Sequence, residues 1–206
     1  MSGSEEKSAQ ELFCPRDEPR NTKERLLHIA LDLFYTHGFH AIGIDRVIAE
    51  AGVSKTTFYN HYESKDDLIL AAIKKQDEWE TEAFGRAVQE LGGYDPQAML
   101  LAMFDVLHRW FSHADYQGCL FLNASSEFPS AVDPVHRAAA KHYLAAEESM
   151  AKMARAAGVD DPSALAREWV ILLMGATSYR QMTGDDDSPV AARAIAERIL
   201  AARTQG

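Results

Sequence analysis

The stretch IDRVIAEAGVSKTTFYNHY, residues 44–62, decides the fold of this chain. Its first apolar residues recur at helical spacing: Ile44, Val47, Ile48 and Ala51. Gly52 follows them, and glycine adopts the left-handed conformation of a helix C-cap without the steric cost of a Cβ atom. The spacing therefore predicts a short helix that ends at Gly52, with Val53 packed under the turn.

A second helix is predicted directly after this turn. Ser54 is a favourable N-cap for a helix that runs from Lys55 to about Tyr62. Two helices joined by a tight glycine turn form a helix-turn-helix. Phe58 and Tyr62 are expected to anchor the second helix in the core, while its other side chains offer hydroxyls, an amide and an imidazole. Such groups suit phosphate oxygens and base edges, although two ordinary core helices could show the same spacing.

The run from Thr22 to Leu68 resembles the DNA-binding domain of the TetR family of bacterial transcriptional regulators. The matching segments are FYTHGF (34–39), AGVSKTTFYNHY (51–62) and SKDDL (64–68). Gly43 departs from the family pattern, in which a Ser or Thr caps the first helix of the pair and touches phosphate. Thr56 stands at a position that is often glycine and Ile48 at one that is often alanine.

The resemblance implies which residues contact DNA. Tyr59, His61 and Lys65 match backbone-contacting positions of the family, and Lys55, Thr56 and Thr57 are expected near base edges. The full set of predicted DNA-contacting residues is Thr22, Arg46, Ser54, Lys55, Thr56, Thr57, Tyr59, Asn60, His61 and Lys65.

Charge is distributed unevenly along the chain, whose net charge is −10. Residues 20–75 carry eight basic and seven acidic side chains, whereas residues 1–19 and 76–206 carry net charges of −3 and −8. The segment with the helix-turn-helix is therefore the least repelled by phosphate. This excess of one charge is compatible with DNA binding but does not establish it.

The length of 206 residues suits one or two small domains. Residues 1–20 are acidic and polar, unlike a signal peptide, and are predicted to be a disordered arm. No apolar run of 18 residues occurs in the sequence, so no membrane span is expected. Cys14 and Cys119 are too few for a disulfide framework or a metal site. The chain is predicted to be cytoplasmic.

Helical patterns continue to the C-terminus, and the sequence predicts an all-α protein. The domains are expected at residues 21–66, a three-helix DNA-binding domain, and 67–206, a larger domain for ligand binding and dimerisation. A long helix is predicted from Ser64 to about Leu91, with motion passing along it from one domain to the other. YQGCLFLNASSEFP (116–129) resembles a segment of the ligand-binding domain of some TetR-family members.

A dimer is predicted through the last two helices. On the first of them, Trp169, Leu172, Ala176 and Tyr179 share a face, and Gly175 permits close approach. Ile195, Ile199 and Ala202 form a matching stripe on the second helix. Four such helices can pair across a two-fold axis, although the same stripes could simply cover the core of one chain.

A pocket for a small apolar or aromatic effector is predicted in the C-terminal domain, with His108 and Tyr143 at the polar end of the compound. Asn123 and Glu127 are further polar candidates, and all four could instead pair with one another in a filled core. The predicted ligand-binding residues are Phe104, His108, Phe111, Phe121, Asn123, Tyr143, Trp169 and Leu173.

Catalytic and metal-binding motifs were not found in the sequence, so no catalytic residue, cofactor or metal is predicted. Cys119 is expected to be a small core hydrophobe more than a redox thiol. The function that the resemblance implies is a homodimeric repressor that leaves its operator DNA when it binds an effector. Two alternatives stay open: an architectural DNA-binding protein without an effector, and an enzyme that uses the C-terminal cavity.

Overall fold

The computed structural model describes residues 18–113 and 116–204, and the predicted arm lies almost wholly outside them. Within the described ranges the chain forms helices and no strand, as expected of the all-α class. In chain order the helices are α1 Thr22–His37, α2 Ile44–Ala51, α3 Lys55–Tyr59, α4 Lys65–Gly92, α5 Pro96–Phe111, α6 Leu120–Glu127, α7 Pro134–Ala156, α8 Pro162–Thr183 and α9 Ser188–Arg203.

Local capping residues set most of these boundaries. Asn21 caps α1, because its Oδ1 accepts the Glu24 backbone N–H at 2.9 Å. Ser64 begins α4 by accepting the Asp67 N–H at 3.0 Å, and the Asp67 carboxylate accepts the N–H of Glu63 at 3.2 Å. This arrangement is close to a capping box, with the return bond displaced by one residue.

Three helices differ from their sequence-based predictions. α3 ends at Tyr59 instead of Tyr62, because the His61 N–H bonds to the Phe58 carbonyl in a tight terminal turn. The sequence predicts that the last helix starts at Val190, whereas α9 begins two residues earlier, at Ser188, whose buried hydroxyl donates to the Ala176 carbonyl at 2.9 Å.

Helix α6 was not predicted as a helix at all. Its residues Ser125 and Ser126 have low helix propensity, and both hydroxyls donate to the Leu122 carbonyl inside the helix. Its N-cap position, Cys119, makes no side-chain capping bond. The segment therefore carries little local signal of a helix start or of helical preference.

The chain divides into two compact units. The first, which we call the head unit, comprises the described residues up to Trp79 together with Cys119–His142. The second, which we call the C-terminal unit, comprises the described residues of Glu80–Gly118 and of Tyr143–Gly206. The division cuts α4, and α6 falls in the same unit as the helix-turn-helix. The boundary predicted after residue 66 stays a prediction about functional domains.

The head unit has a core of apolar side chains from α1, the α1–α2 turn, α3 and the start of α4. Its fully buried members are Leu26, Ala30, Leu31, Phe34, Phe39, Phe58, Leu68 and Ala72. Phe34 and Phe39 pack with their ring centroids 5.1 Å apart. Phe39 is therefore part of this core, directly after the glycine that ends α1.

The C-terminal unit is built on α5, α8 and α9. Trp169 lies at its centre, fully buried, and its indole N–H donates to the Leu100 carbonyl at 2.9 Å. Helix α9 packs against both α5 and α8, with ion pairs from Arg193 to Asp105 and from Arg203 to Glu168 at its edges. Of the helices in the described ranges, none is both long and apolar enough to cross a membrane.

A methyl group added at two different glycines of α4 should have opposite effects on the free energy of unfolding. A Cβ atom at Gly92 would lie 2.6 Å from the Met99 Cα, a backbone atom that cannot move away, whereas one at Gly85 would meet nothing within 4 Å. We expect Gly92→Ala to lower the free energy of unfolding by about 1–3 kcal/mol through overpacking. Gly85→Ala should raise it by about 0.5–1 kcal/mol through helix propensity. Urea unfolding of both variants checks this, and equal stability of Gly92→Ala and the parent would contradict the packing.

Candidate nucleic-acid interface

The α2–α3 turn has the geometry of a helix-turn-helix. Gly52 adopts the left-handed conformation, with φ 62° and ψ 35°, and its N–H bonds back to the end of α2. The Val53 N–H bonds to the Ile48 carbonyl at 3.2 Å. These two bonds satisfy carbonyls at the end of α2 and turn the chain directly into α3.

Two aromatic side chains fix α3 to the head unit. Phe58 is fully buried and Tyr62 is 2% exposed. The Tyr62 hydroxyl donates to the Lys23 carbonyl at 3.2 Å, and the Lys23 ammonium lies 5.4 Å from the centre of the Tyr62 ring. Burial raises the pKa of the Tyr62 phenol to about 12, and the negative charges of Asp67 and Glu24 add to the rise. The phenol therefore stays a neutral donor at physiological pH.

The start of α3 is held by two hydroxyls. The Ser54 Oγ accepts the Thr57 backbone N–H at 3.0 Å, and the two side-chain oxygens lie 2.8 Å apart. The mutual bond orients both hydroxyls at the exposed N-terminal end of the helix. Either hydroxyl can donate in the mutual bond, so the pair can offer a donor or an acceptor to a base edge or phosphate after rotation of a hydroxyl.

The basic side chains of the helix pair have acidic or imidazole partners in the unbound chain. The Lys55 ammonium lies 3.2 Å from Asp45 of α2. Arg46 contacts Glu50 at 3.1 Å and, through a second nitrogen, the His37 imidazole at 3.1 Å. Of these partners, only Glu50 could have been found from sequence, as the i+4 neighbour of Arg46. Asp45 and His37 are brought in by the turns.

All the predicted DNA-contacting residues belong to the head unit. Lys55, Thr56, Tyr59 and Asn60 are exposed on α3 or at its end, and Tyr59 packs edge-on against Phe58. Thr22, His61 and Lys65 are half-buried, His61 in the turn after α3 and the other two at the starts of α1 and α4. Gly43, the N-cap of α2, makes no side-chain capping bond. The contacts of the predicted residues with DNA stay predictions.

Comparison with known proteins identifies the family. The sequence model described as "Bacterial regulatory proteins, tetR family" matches residues 26–72, and the one described as "Tetracyclin repressor-like, C-terminal domain" matches residues 96–196. SCO4454, a TetR-family transcriptional regulator from Streptomyces coelicolor whose crystal structure is known, is 30% identical in sequence to this chain. It superposes with a TM-score of 0.77 over 89% of this chain and 96% of that one. The chain belongs to the TetR family.

Other relatives agree with this membership. A putative TetR-type regulator of Streptomyces avermitilis is 26% identical, with a TM-score of 0.76 over 89% of this chain and 98% of that one. The transcriptional activator FasR of Mycolicibacterium smegmatis is 43% identical over 61 residues, which are 30% of this chain. That alignment spans only 26% of the length of FasR, so most of FasR lies outside it.

The predicted effector residues of this TetR-family chain are placed in different surroundings. Phe104, Phe111 and Trp169 are buried in the hydrophobic core of the C-terminal unit, where the Phe104 and Trp169 rings meet edge-on at 5.9 Å. Tyr143 and Leu173 are partly buried against the same core. The packing of these five residues is explained by the core itself, and a ligand contact for them stays a prediction.

His108 does not point into that core. Its imidazole is 39% exposed and lies 3.2 Å from Asp187, in the loop before α9. Phe121 and Asn123 belong to the head unit. Phe121 stacks on the His142 imidazole with a 3.8 Å centroid distance, and His142 contacts Asp77 at 2.7 Å.

Glu127, another polar candidate for the pocket, has a different role in the structure. Its carboxylate accepts the backbone N–H groups of Phe39 and His40 in the α1–α2 turn. The separation of 88 residues left no local signal of this contact in the sequence. An open groove of about 360 Å³ along α7 is lined by charged residues, Glu147, Glu148, Lys152 and Arg155, and by the apolar Leu144 and Ala151. None of the predicted ligand-binding residues lines it.

The buried phenol of Tyr62 predicts an alkaline loss of stability. Its pKa is about 12 in the fold against an ordinary value of 10.0, so the fold favours the neutral form. That stability is fully present below pH 10 and is lost as the pH rises toward 12. We expect the free energy of unfolding of Tyr62→Phe to fall less steeply than that of the parent between pH 9 and 11.

The control for this experiment is Tyr94→Phe, which alters a tyrosine that is 89% exposed. The free energy of unfolding of this variant should fall at alkaline pH as steeply as that of the parent. At neutral pH the free energy of unfolding of the Tyr62→Phe variant should be about 1 kcal/mol lower than that of the parent, because the hydrogen bond to the Lys23 carbonyl is missing. Parallel curves for Tyr62→Phe and the parent above pH 9 would contradict the assignment.

Proposed function

We propose that this TetR-family chain is a sequence-specific DNA-binding repressor that acts as a homodimer. In this proposal a small apolar or aromatic effector, bound by the C-terminal residues, releases the protein from its operator. The observation that carries the proposal is the α2–α3 pair, in which a buried aromatic anchor leaves the polar residues Thr56, Tyr59 and Asn60 exposed. Such a helix can enter a major groove of B-DNA.

The cations of this surface support DNA binding in spite of the chain's net charge of −10. Lys55 and Arg46 pair with exposed carboxylates, and surface ion pairs of this kind contribute only about 0–1 kcal/mol each. Phosphate oxygens can replace those partners at little cost. Neutralised phosphates release counterions, which makes binding steeply dependent on salt.

The exposed apolar side chains of α8 and α9 support self-association. On α8, Ile171 is 61% exposed and Met182 85% exposed, and Tyr179 lies on the same side. Val190 and Ile195 are exposed on α9. Large apolar side chains exposed in a group mark an interaction surface, and two copies of this helix pair could bury it across a two-fold axis.

This surface corrects the stripe that was predicted from sequence. Trp169 is fully buried inside the chain's own C-terminal unit and Ala176 is 5% exposed, so Trp169 cannot contact a second copy and Ala176 offers it little surface. The helix is apolar on two sides, and the sequence pattern did not distinguish the side toward the core from the exposed side. Gly175, where a Cβ atom would meet nothing within 4 Å, lies on the exposed side.

The repressor role is proposed from the family resemblance and needs its own test, since FasR is named an activator. The promoter region that contains a duplex enriched by the protein can drive a reporter gene. Lower expression in the presence of the protein supports repression, and higher expression would overturn that part of the proposal.

Two variants of the head unit test the DNA contacts. Lys65→Ala should weaken binding to all sequences alike and reduce the slope of log K against log salt by about one, because one fewer counterion is released. Thr57→Val should mainly narrow the difference in affinity between the selected duplex and random DNA. Fluorescence anisotropy at several salt concentrations, with duplexes selected from a randomised pool by the intact protein, measures both effects.

The control is Lys74→Ala, which removes an exposed lysine of α4 that is not among the predicted contacts. Its salt slope should equal that of the parent. Equal affinity of the intact protein for every sequence would contradict sequence-specific binding.

The dimer surface is tested by charge insertion. Ile171→Asp places a carboxylate within the proposed interface, where it would be desolvated without a partner. We expect the dissociation constant of the dimer to rise at least 100-fold in sedimentation velocity. Leu144→Asp changes a residue of similar exposure, 66%, on α7 and should remain dimeric. A parent protein that is monomeric at micromolar concentration would refute the proposed assembly.

A further inference from the structure

The carboxylate of Glu127 binds the turn that connects α1 to α2. It accepts the Phe39 N–H at 2.9 Å and the His40 N–H at 2.7 Å, one on each oxygen. The His40 imidazole lies 3.5 Å from the second oxygen. Hydrogen bonds from backbone N–H groups to a carboxylate are about twice as strong as neutral ones. This one side chain thus holds two successive peptide groups.

Gly38 makes room for this carboxylate. Its φ is +82°, a region that favours glycine. A Cβ atom there would lie 2.8 Å from the Glu127 Oε1. The glycine that ends α1 therefore has a second role, because any larger residue would meet the carboxylate that secures the turn.

The end of α6 is itself fixed beside the turn. The Phe128 ring packs edge-on against Phe39 at 6.0 Å and against His40 at 4.7 Å. The His136 Nδ1 lies 2.8 Å from the Phe128 carbonyl. Since Phe39 is fully buried and Ile42 is 1% exposed, the turn is held from the core on one side and by the end of α6 on the other.

We infer that Glu127 is a positioning residue for DNA binding, which sets the α1–α2 turn and with it the placement of the α2–α3 pair. Residues 38–43 are the only covalent link from α1 to α2, so the orientation of their peptide groups determines where α2 begins. The operator affinity then depends on α6, a helix more than 60 residues after α3 in the chain. This inference rests on the proposed function of the head unit as a reader of DNA.

The central test uses the isosteric variant Glu127→Gln in the full chain. An amide keeps one acceptor oxygen but presents an NH₂ donor to the second backbone N–H. The probe is the duplex that the parent enriches from a randomised pool. We expect at least a tenfold loss of affinity for this duplex and less than a threefold loss for random DNA, because loose phosphate contacts tolerate a displaced helix better than base contacts do.

Two further variants accompany it. Ser126→Ala removes an exposed neighbouring hydroxyl that bonds only within α6 and should bind within twofold of the parent. Glu127→Asp keeps both carboxylate oxygens on a shorter side chain and should recover part of the affinity that Glu127→Gln loses.

Hydrogen exchange separates positioning from a general loss of stability. In Glu127→Gln, the amides of residues 38–43 should exchange at least tenfold faster, while those of α5, α8 and α9 exchange as in the parent. If both DNA affinities fall equally and exchange rises throughout the chain, the role is only structural and the inference is wrong.

The two proposals can fail separately. If the parent prefers one duplex and the folded Glu127→Gln variant binds this duplex equally well, the positioning role alone is wrong. A parent that enriches no sequence would overturn the proposed function and this inference with it.

Discussion

The length of α3 is the constraint on which the rest of the head unit depends. Lys55–Tyr59 is a helix of five residues, and isolated helices shorter than about 12 residues are marginal in water. It exists because Phe58 and Tyr62 are buried and because Ser54 caps its first turn. The same burial leaves its polar side chains outside. Anchoring from one face is thus what makes a short helix available for reading DNA.

The electrostatics of the head unit explain how a protein of net charge −10 can approach DNA. The cations of α2 and α3 are exposed and are paired with exposed carboxylates, as in Lys55 with Asp45. In water these ion pairs are weak, so the carboxylates neutralise the cations without preventing them from binding phosphate. Affinity should therefore come from a few phosphates that replace such partners, and specificity from the hydroxyl and amide groups between them.

Features decided by neighbouring residues could be predicted from the sequence, and features decided by distant contacts could not. Gly52 and Ser54 mark the end of α2 and the start of α3, because each cap acts within four residues. The hydrogen bonds from the α1–α2 turn to the Glu127 carboxylate join positions up to 88 residues apart, and no local sequence pattern predicts them.

The effector residues show the same limit. The sequence predicts that aromatic residues of α5 and α8 line a pocket, and the structure places Phe104 and Trp169 in the core of one unit. An apolar helix face has the same sequence pattern whether it meets a core, a ligand or a second copy. Hydroxyl-radical footprinting of the protein on its selected duplex tests the proposed function most directly, because a two-fold dimer on its operator would place its two α3 helices in successive major grooves. We predict two protected patches on one face of the duplex, centred about 10–10.5 base pairs apart; continuous protection or a single patch would contradict it.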